Sequence, residues 1–294
     1  MNLHQLKKQL KQELKSQETK KNKKIKSTRW LLLVVLCVLL VGGLYPVYRQ
    51  RQLTTPQRLM NNAAEQESLG QTAAAEKIYR AIYQDHKDTE EAAEALFRIA
   101  RLQQYDNRDT QQALLSYLQL EKDYPASQRL LAAQQESARI IKYSLRDYSQ
   151  AIGYYQQLLE AQDGAEDQYI YEIADCYFRL ENYTQARIEL EILIEDFPES
   201  SLIADALYRK GGLLLLENRV DAAQESWSQL IELYPESSYR PQAEFNLAKL
   251  LEEEDLLVEA LEQYQKLTDF PRPAMLQDKI EHLKQRIAAK KRAI

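Results

Sequence analysis

Apolar side chains recur along most of the chain in blocks, and pairs of an aromatic residue and a proline separate these blocks. The prolines of the pairs are Pro125, Pro198, Pro235 and Pro271, at steps of 73, 37 and 36 residues, so that the first step spans two blocks. Proline ends helices because its ring fixes φ and it has no N–H to donate. A constant period of this length predicts an array of stacked helical repeats.

Within one block, small and large apolar residues follow the spacing of two helices, A and B. In the block that ends at Pro235, positions 4, 8, 11, 20, 24, 27 and 32 are Leu207, Gly211, Leu214, Ala223, Trp227, Leu230 and Pro235. The preceding block has Ile170, Ala174, Tyr177, Ala186, Leu190, Leu193 and Pro198 at these positions. Small residues at positions 8 and 20 allow the two helices to approach closely. The large residue at position 24 fills the space between neighbouring blocks.

Four further blocks follow the pattern more loosely. Their matching residues are Ala63, Ala75, Tyr79 and Ile82; Ala100, Ala113, Tyr117, Leu120 and Pro125, with one extra residue in the turn; Ala151, Tyr155 and Leu158; and Ala248, Ala260, Tyr264, Leu267 and Pro271. The pattern resembles the tetratricopeptide repeat, a helix–turn–helix unit of about 34 residues.

The resemblance implies an all-α fold in which an α-solenoid of about six such repeats ends in a capping helix. The predicted repeats cover residues 54–88, 90–125, 126–163, 167–200, 202–238 and 240–273, and the cap with a basic C-terminus covers residues 274–294. Ser200 or Ser201, and Ser237 or Ser238, are expected to cap the next helix A, because serine accepts the first N–H groups of a helix.

The N-terminal part of the chain has a different pattern. No charged residue occurs from Trp30 to Tyr48, 19 residues, which is close to the ~20 needed to cross a membrane as a helix. We therefore expect a basic cytoplasmic tail at residues 1–29, a transmembrane signal anchor at 30–48 and a linker at 49–53; a cleaved signal peptide and a buried helix are the alternatives.

Charge sets the expected orientation. Residues 1–29 have a net charge of +8 and the whole chain −5, which leaves −13 for the remainder. Because basic flanks stay in the cytoplasm, the chain is expected to be a single-pass protein of a bacterial inner membrane, with its repeats in the periplasm or outside the cell.

The remaining composition indicates no catalytic or metal chemistry. Seven glycines and eight prolines favour helices with short turns, and the cysteines, Cys37 and Cys176, form no disulfide framework. None of the three histidines has a second ligand at metal spacing, and no glycine-rich phosphate loop occurs. We expect no enzyme activity and no cofactor, and no nucleic acid as a partner, because the part after residue 29 is strongly acidic.

In proteins with this repeat, the A helices line a concave groove that holds peptides or partner segments. The resemblance implies that the groove residues are Phe97, Arg101, Ile140, Tyr143, Tyr171, Asp175, Phe178, Tyr208, Phe245 and Lys249. Aromatic rings with a few charges suit protein recognition, because such anchors carry much of the binding energy of an interface. Some of these residues could instead pack against the next repeat.

The sequence thus predicts a protein–protein interaction scaffold that recruits envelope proteins to a membrane complex. The chain is similar in layout to the periplasmic ancillary subunit of the Sec translocon, and in its repeats to tetratricopeptide proteins of the barrel-assembly and Tol–Pal systems. A translocon-associated chaperone and a structural subunit of a trans-envelope machine, such as a pilus, secretion system or motor, are the alternatives.

Overall fold

The computed structural model describes residues 55–293, which are helical apart from short connections. Thirteen α-helices follow one another in this range: α1 Pro56–Ser68, α2 Thr72–Asp85, α3 Glu90–Arg101, α4 Thr110–Asp123, α5 Leu130–Arg139, α6 Tyr148–Glu160, α7 Glu166–Arg179, α8 Tyr183–Asp196, α9 Ile203–Leu216, α10 Val220–Leu233, α11 Arg240–Glu253, α12 Leu257–Lys266 and α13 Pro273–Ala293. Two π-helical segments, Leu102–Asp106 and Ile140–Leu145, extend α3 and α5. The all-helical part of the fold prediction fits these elements.

The chain divides between Arg98 and Ile99 into two compact units. In the first unit, α1 packs against α2, and Ala63 and Ala75 are fully buried. The Tyr79 hydroxyl donates to the Glu67 carboxylate at 2.8 Å, and Arg98 lies 3.6 Å from the same carboxylate. The second unit begins within α3 and contains the helix pairs of the later repeats.

Helices of the second unit meet at the small residues of the repeat pattern. The alanines at positions 8 and 20 are at most 3 % exposed: Ala100, Ala113, Ala138, Ala151, Ala174, Ala186, Ala223, Ala248 and Ala260. The large residues at position 24 are equally buried: Tyr117, Tyr155, Leu190, Trp227 and Tyr264. The core is therefore a series of contacts between successive helices, as expected for stacked repeats.

The aromatic–proline pairs form three nearly identical joints between repeats. Tyr124, Phe197 and Tyr234 end their B helices with φ between −127° and −131° and ψ of 57° or 58°. In each joint the serine three residues later donates its backbone N–H to the carbonyl of the aromatic residue, at 2.9–3.0 Å, which closes a turn around the proline.

The predicted serine caps are wrong. Helices α9 and α11 have Leu202 and Tyr239 at their N-cap positions, and neither side chain caps the helix. Ser200 and Ser237 lie two residues earlier, where each hydroxyl accepts a backbone N–H at 3.2 Å. Their hydroxyls therefore stabilise the turn, because serine bonds its neighbouring backbone as readily as a helix end.

The A helices end in two ways, which the spacing of the small residues distinguishes. Where positions 8 and 20 are 12 residues apart, as in α7, α9 and α11, the helix ends with a left-handed residue: Glu181, Asn218 or Asp255. Where they are 13 apart, at Ala100–Ala113 and Ala138–Ala151, a π-helical segment precedes the left-handed residue, Arg108 or Arg146. The extra residue therefore lies in a wider helical turn rather than in the loop.

The structure corrects one part of the fold prediction, the transmembrane helix. No helix in residues 55–293 is long and apolar enough to cross a membrane. Twelve of the helices have 10–14 residues, and at ~1.5 Å per residue they are shorter than the ~30 Å hydrocarbon core. The 21-residue α13 carries charged residues along most of its length. The segment 30–48, on which the expected orientation and localisation depend, lies outside the described residues.

Helix α13 covers the last helix pair. Leu276, Ile280 and Leu283 pack in one cluster with Ala248 and Tyr264. Glu252 is 9 % exposed, and its carboxylate forms ion pairs with Lys279, at 2.8 Å, and with Arg286, both on α13. Apolar packing and paired charges thus hold the final helix in place.

Replacing Gly211 by alanine tests the close helix contact. A Cβ on Gly211 would lie 2.4 Å from Nε1 of Trp227. We expect Gly211→Ala to lower the free energy of unfolding by about 1–3 kcal/mol, because overpacking a filled core forces its neighbours to shift. Gly153→Ala is the matched control, since a Cβ there meets nothing within 4 Å. Urea unfolding of the full-length chain measures both variants.

A double-mutant cycle assigns this loss of stability to one contact. The preceding repeat has Ala174 and Leu190 where this one has Gly211 and Trp227. Alanine at position 211 should therefore be much less destabilising in a Trp227→Leu background. An equal loss in both backgrounds would show that Trp227 is not the residue that excludes the methyl group.

Candidate functional site

Aromatic side chains surround a cavity of about 340 Å³ between α7, α9 and α11. Four rings line it: Tyr171 and Phe178 on α7, Tyr208 on α9, and Tyr239 immediately before α11. The remaining lining residues are Ala174, Asp175, Ala186, Leu190, Asp205, Arg209, Gly212, Leu213 and Asn246.

Helical spacing explains why these side chains meet. Tyr171, Asp175 and Phe178 are separated by four and three residues, so they share one face of α7. The same spacing places Asp205, Arg209 and Gly212 on one face of α9. The cavity is therefore formed where the equivalent faces of neighbouring A helices lie side by side.

Stacked rings form one wall of the cavity. Tyr208 and Tyr239 stack with their centroids 5.3 Å apart and their planes at 24°. Phe178 is 42 % exposed and contacts Tyr183 at a centroid distance of 5.7 Å. Such rings offer apolar area without the entropy of a long flexible side chain, which makes them effective contact surfaces.

A chain of ion pairs runs through the base of the cavity. Arg209 donates from Nη1 to Asp175 and from Nε to Asp205, each at 3.0 Å. Its guanidinium carbon lies 5.0 Å from the centroid of the Tyr171 ring, a cation–π contact. The Tyr171 hydroxyl donates to the second oxygen of Asp205. The two carboxylates thus have cationic and hydroxyl partners from two repeats.

Lys142 extends the network to a third repeat. Its side chain is 2 % exposed, and its Nζ lies 2.8 Å from Oδ2 of Asp175. It also donates to the carboxylate and, at 3.2 Å, to the backbone carbonyl of Glu172. The hydroxyl of Tyr143 donates to the same carboxylate at 2.7 Å. A buried ammonium requires such pairing, so this network fixes the position of α7 relative to the preceding repeat.

The network changes the acidities of its members. Burial would raise the pKa of Asp175, but the hydrogen bonds and charges of Lys142 and Arg209 outweigh it and lower that pKa. Burial would lower the pKa of Lys142, whereas Asp175 and Glu172 raise it above its ordinary value. Burial and the bond to Asp205 raise the pKa of Tyr171. All three groups keep their neutral-pH protonation states.

A larger recess of about 1030 Å³ lies beside the Pro235–Ser238 joint, lined by residues of α10, α11 and α12. No aromatic ring lines it, and its charges are mixed, with Glu232, Glu236 and Glu244 near Arg240. It therefore lacks the rigid apolar anchors that distinguish the smaller cavity.

Comparisons with known proteins agree with this arrangement of helices. A sequence model of a tetratricopeptide repeat matches residues 140–201 and 171–237, and a second one matches residues 94–127. These segments are tetratricopeptide repeats. Proteins with such repeats are typically interaction modules without enzymatic activity, which is consistent with the predicted absence of catalysis. A search of curated proteins gave no match.

Solved structures of tetratricopeptide proteins share the fold at low identity. A repeat-containing protein from Cytophaga hutchinsonii is 12% identical, covering 78% of this chain and 88% of that one, with a TM-score of 0.57. A tetratricopeptide repeat protein from Parabacteroides merdae is 14% identical, covering 78% and 98%, with a TM-score of 0.51. YrrB, a TPR protein with an unusual peptide-binding site, is 13% identical, covering 67% and 96%, with a TM-score of 0.50.

The cavity brings together four of the predicted groove residues: Tyr171, Asp175, Phe178 and Tyr208. Asp175 lies at its base rather than on its rim, since only 9 % of the residue is exposed. Tyr143 is 58 % exposed and is connected to the network through Glu172.

The other predicted groove residues lie elsewhere in the repeats. In the first unit, Phe97 is 7 % exposed. Arg101 is exposed near the Tyr105 ring, 6.0 Å from its centroid, and Ile140 is buried. Phe245 stacks on Phe270, with centroids 4.7 Å apart. Lys249 is exposed and lies 3.3 Å from Glu253 in its own helix. A role for these residues in binding stays a prediction.

Several residues of the site were not predicted: Lys142, Asp205, Arg209, Tyr239 and Asn246. Asp205 and Arg209 had a visible signal, because they form a charged pair four residues apart on a largely apolar helix. Lys142 and Tyr239 had none, since their role depends on which repeats become neighbours. The similarity to Sec, barrel-assembly and Tol–Pal proteins stays a prediction, because the family models match the repeats alone.

Replacing Asp175 by asparagine tests the ion network. At pH 7 we expect Asp175→Asn to lower the free energy of unfolding by about 3 kcal/mol, because Lys142 and Arg209 lose a shared partner. Asp196→Asn, at the exposed end of α8, is the matched control. Urea unfolding of the full-length chain measures both variants.

The same comparison predicts a pH dependence. The folded-state pKa of Asp175 lies below its ordinary 3.8, so its charged form stabilises the fold above that pH, and the stabilisation is lost as the pH falls through the lower folded value. The difference between wild type and Asp175→Asn should therefore shrink as the pH falls below 3.8. A difference that stays constant down to pH ~2 would be inconsistent with a charged Asp175.

Proposed function

We propose that the chain is a non-catalytic scaffold that binds protein partners through its cavity face. The cavity face is the surface of α7, α9 and α11 around Tyr171, Phe178, Tyr208, Tyr239 and Asn246. The observation that carries this proposal is the set of four aromatic rings around one cavity, three on neighbouring A helices and Tyr239 just before the next one.

The exposed polar groups of the cavity face also suit a polypeptide. The side-chain carboxamide of Asn246 lines the cavity and has no hydrogen-bond partner among residues 55–293. It can donate to and accept from a peptide group at once. Arg209 uses two of its five N–H donors on Asp175 and Asp205, which leaves others for a partner carbonyl.

The size of the cavity indicates how a partner is held. About 340 Å³ is near the lower end of the ~300–1,000 Å³ range of ligand pockets, so that the cavity takes a side chain or two and the rest of the partner segment lies on the rim. A peptide-binding site in YrrB, which has the same kind of repeats, supports a polypeptide as the ligand.

The cellular role of the chain depends on which partner the cavity face binds. A scaffold holds one partner at a fixed ratio, whereas the alternative of a chaperone implies many weakly held clients. The position of the repeats relative to a membrane stays a prediction.

Site-specific photo-crosslinking tests the proposal in living cells. A photoreactive phenylalanine at position 208 should give one dominant adduct, identified by mass spectrometry. The matched control is position 115 on α4, where Leu115 is 59 % exposed and lies away from the cavity face. The proposal would be refuted if position 208 gave no adduct beyond those seen at position 115. Adducts of position 208 with many different exported proteins would identify a chaperone.

Removing an aromatic ring from the cavity should lower the affinity for the captured partner. We expect Tyr239→Ala to reduce affinity about 5- to 30-fold, or about 1–2 kcal/mol, because an aromatic anchor is removed. Leu115→Ala should leave affinity unchanged. Titration of the purified partner against the full-length variants measures both effects, with circular dichroism as the check that helicity is retained.

A further inference from the structure

We infer that the cavity accepts an uncharged, apolar side chain of the partner and that Arg209 sets this preference. The inference rests on the proposed function and specifies the chemistry of its ligand. Two aspartates without partners would favour a lysine or an arginine in the cavity. The aspartates of this cavity already have partners, which disfavours a further cation.

Every carboxylate oxygen in the cavity already receives a donor. Asp175 accepts from Arg209 on Oδ1 and from Lys142 on Oδ2, at 3.0 and 2.8 Å. Asp205 accepts from Arg209 on Oδ1, at 3.0 Å, and from the Tyr171 hydroxyl on Oδ2. An incoming ammonium would have to leave water and then share acceptors that are already in use, so that it gains little in return for its desolvation.

An anionic side chain is disfavoured by the same arrangement. The donors left on Arg209 belong to the same guanidinium that already pairs with Asp175 and Asp205. A partner carboxylate at Arg209 would therefore face two like charges at short range, in a partly buried site where such repulsion is strong. Charge thus disfavours both cationic and anionic side chains.

Apart from Asn246 and the remaining Arg209 donors, which suit the peptide groups of the partner, the cavity offers a side chain mainly carbon. The rings of Phe178, Tyr208 and Tyr239 form the walls, and Leu190 and Leu213 lie among the aliphatic lining residues. An apolar side chain removes this surface and its own from water without leaving a polar group unpaired. The cavity therefore fits a leucine, isoleucine, methionine, phenylalanine or tryptophan.

Gly212 gives a way to fill this cavity without disturbing the helix pair. It lines the cavity, and a Cβ built on it meets nothing within 4 Å. Its neighbour Gly211 faces Trp227 instead, where a Cβ would overlap the indole ring. Gly212→Leu should thus occupy the cavity from a helix position that leucine favours, and Gly212→Ala is the smaller variant if leucine perturbs folding.

Selection from a random peptide library displayed on phage tests the inference. The library is selected on the immobilised full-length chain and depleted on the Gly212→Leu variant, whose fold is checked by circular dichroism and urea unfolding. We expect the surviving peptides to share one position occupied by leucine, isoleucine, methionine, phenylalanine or tryptophan. Replacing that residue by lysine or by glutamate in a synthetic peptide should weaken binding at least about tenfold.

The outcomes separate this inference from the function on which it rests. A shared lysine, arginine, aspartate or glutamate would overturn the apolar preference and leave cavity binding intact. If the selection yields no peptide that binds the wild type more tightly than Gly212→Leu, both the apolar preference and binding at the cavity are overturned.

The role of Arg209 is tested on the selected peptide itself. In Arg209→Leu, Asp205 loses its cation, so the lysine form of the peptide should gain at least about tenfold relative to the apolar form. An unchanged ratio would show that shape alone selects the ligand and that Arg209 does not set the preference.

Discussion

At positions 8 and 20 of each repeat, alanine or glycine brings one helix against the next, and the other features of the array follow from this contact. Because the helices lie so close, a single large residue at position 24 is enough to fill the space that remains, as Trp227 does against Gly211. The B helix must then end at a fixed point, and the joints at Tyr124, Phe197 and Tyr234 supply it with nearly the same dihedral angles. Repetition of one contact thus places successive A helices side by side.

Side-by-side A helices create the site and also its electrostatic problem. The faces of α7 and α9 carry aspartates at the base of the cavity, and Lys142 from the previous repeat is almost completely buried. These charges are tolerated because each has a partner on a neighbouring repeat. Breaking one pair would leave an uncompensated buried charge. The network therefore stabilises the packing of the neighbouring repeats against one another. The same pairing leaves the aromatic rings as the surface available to a partner.

The sequence was sufficient for features that depend on local spacing. The helix pairs, the small buried residues and the proline joints all follow from residues at fixed intervals. The extra residue of the Ala100 block was expected in the turn and lies in a π-helical segment instead. The serine caps were misjudged because a serine near a helix start can bond either the helix or the turn before it. The contacts of Lys142, Arg209 and Tyr239 could not be predicted, since they join residues about 30 positions apart. Four of the predicted groove residues line the cavity, whereas Phe245 packs within the core at the end of the array.

A partner bound as proposed covers the aromatic rings of the cavity face. Hydroxyl-radical footprinting of the full-length chain, with and without the partner captured by crosslinking, measures the exposure of its aromatic and aliphatic side chains. We expect Phe178, Tyr208 and Tyr239 to become protected, while Leu115 on α4 and Ile188 on α8 react as before. Protection of Leu115 or Ile188 with unchanged reactivity of the cavity rings would contradict this expectation, because the partner would then bind another surface.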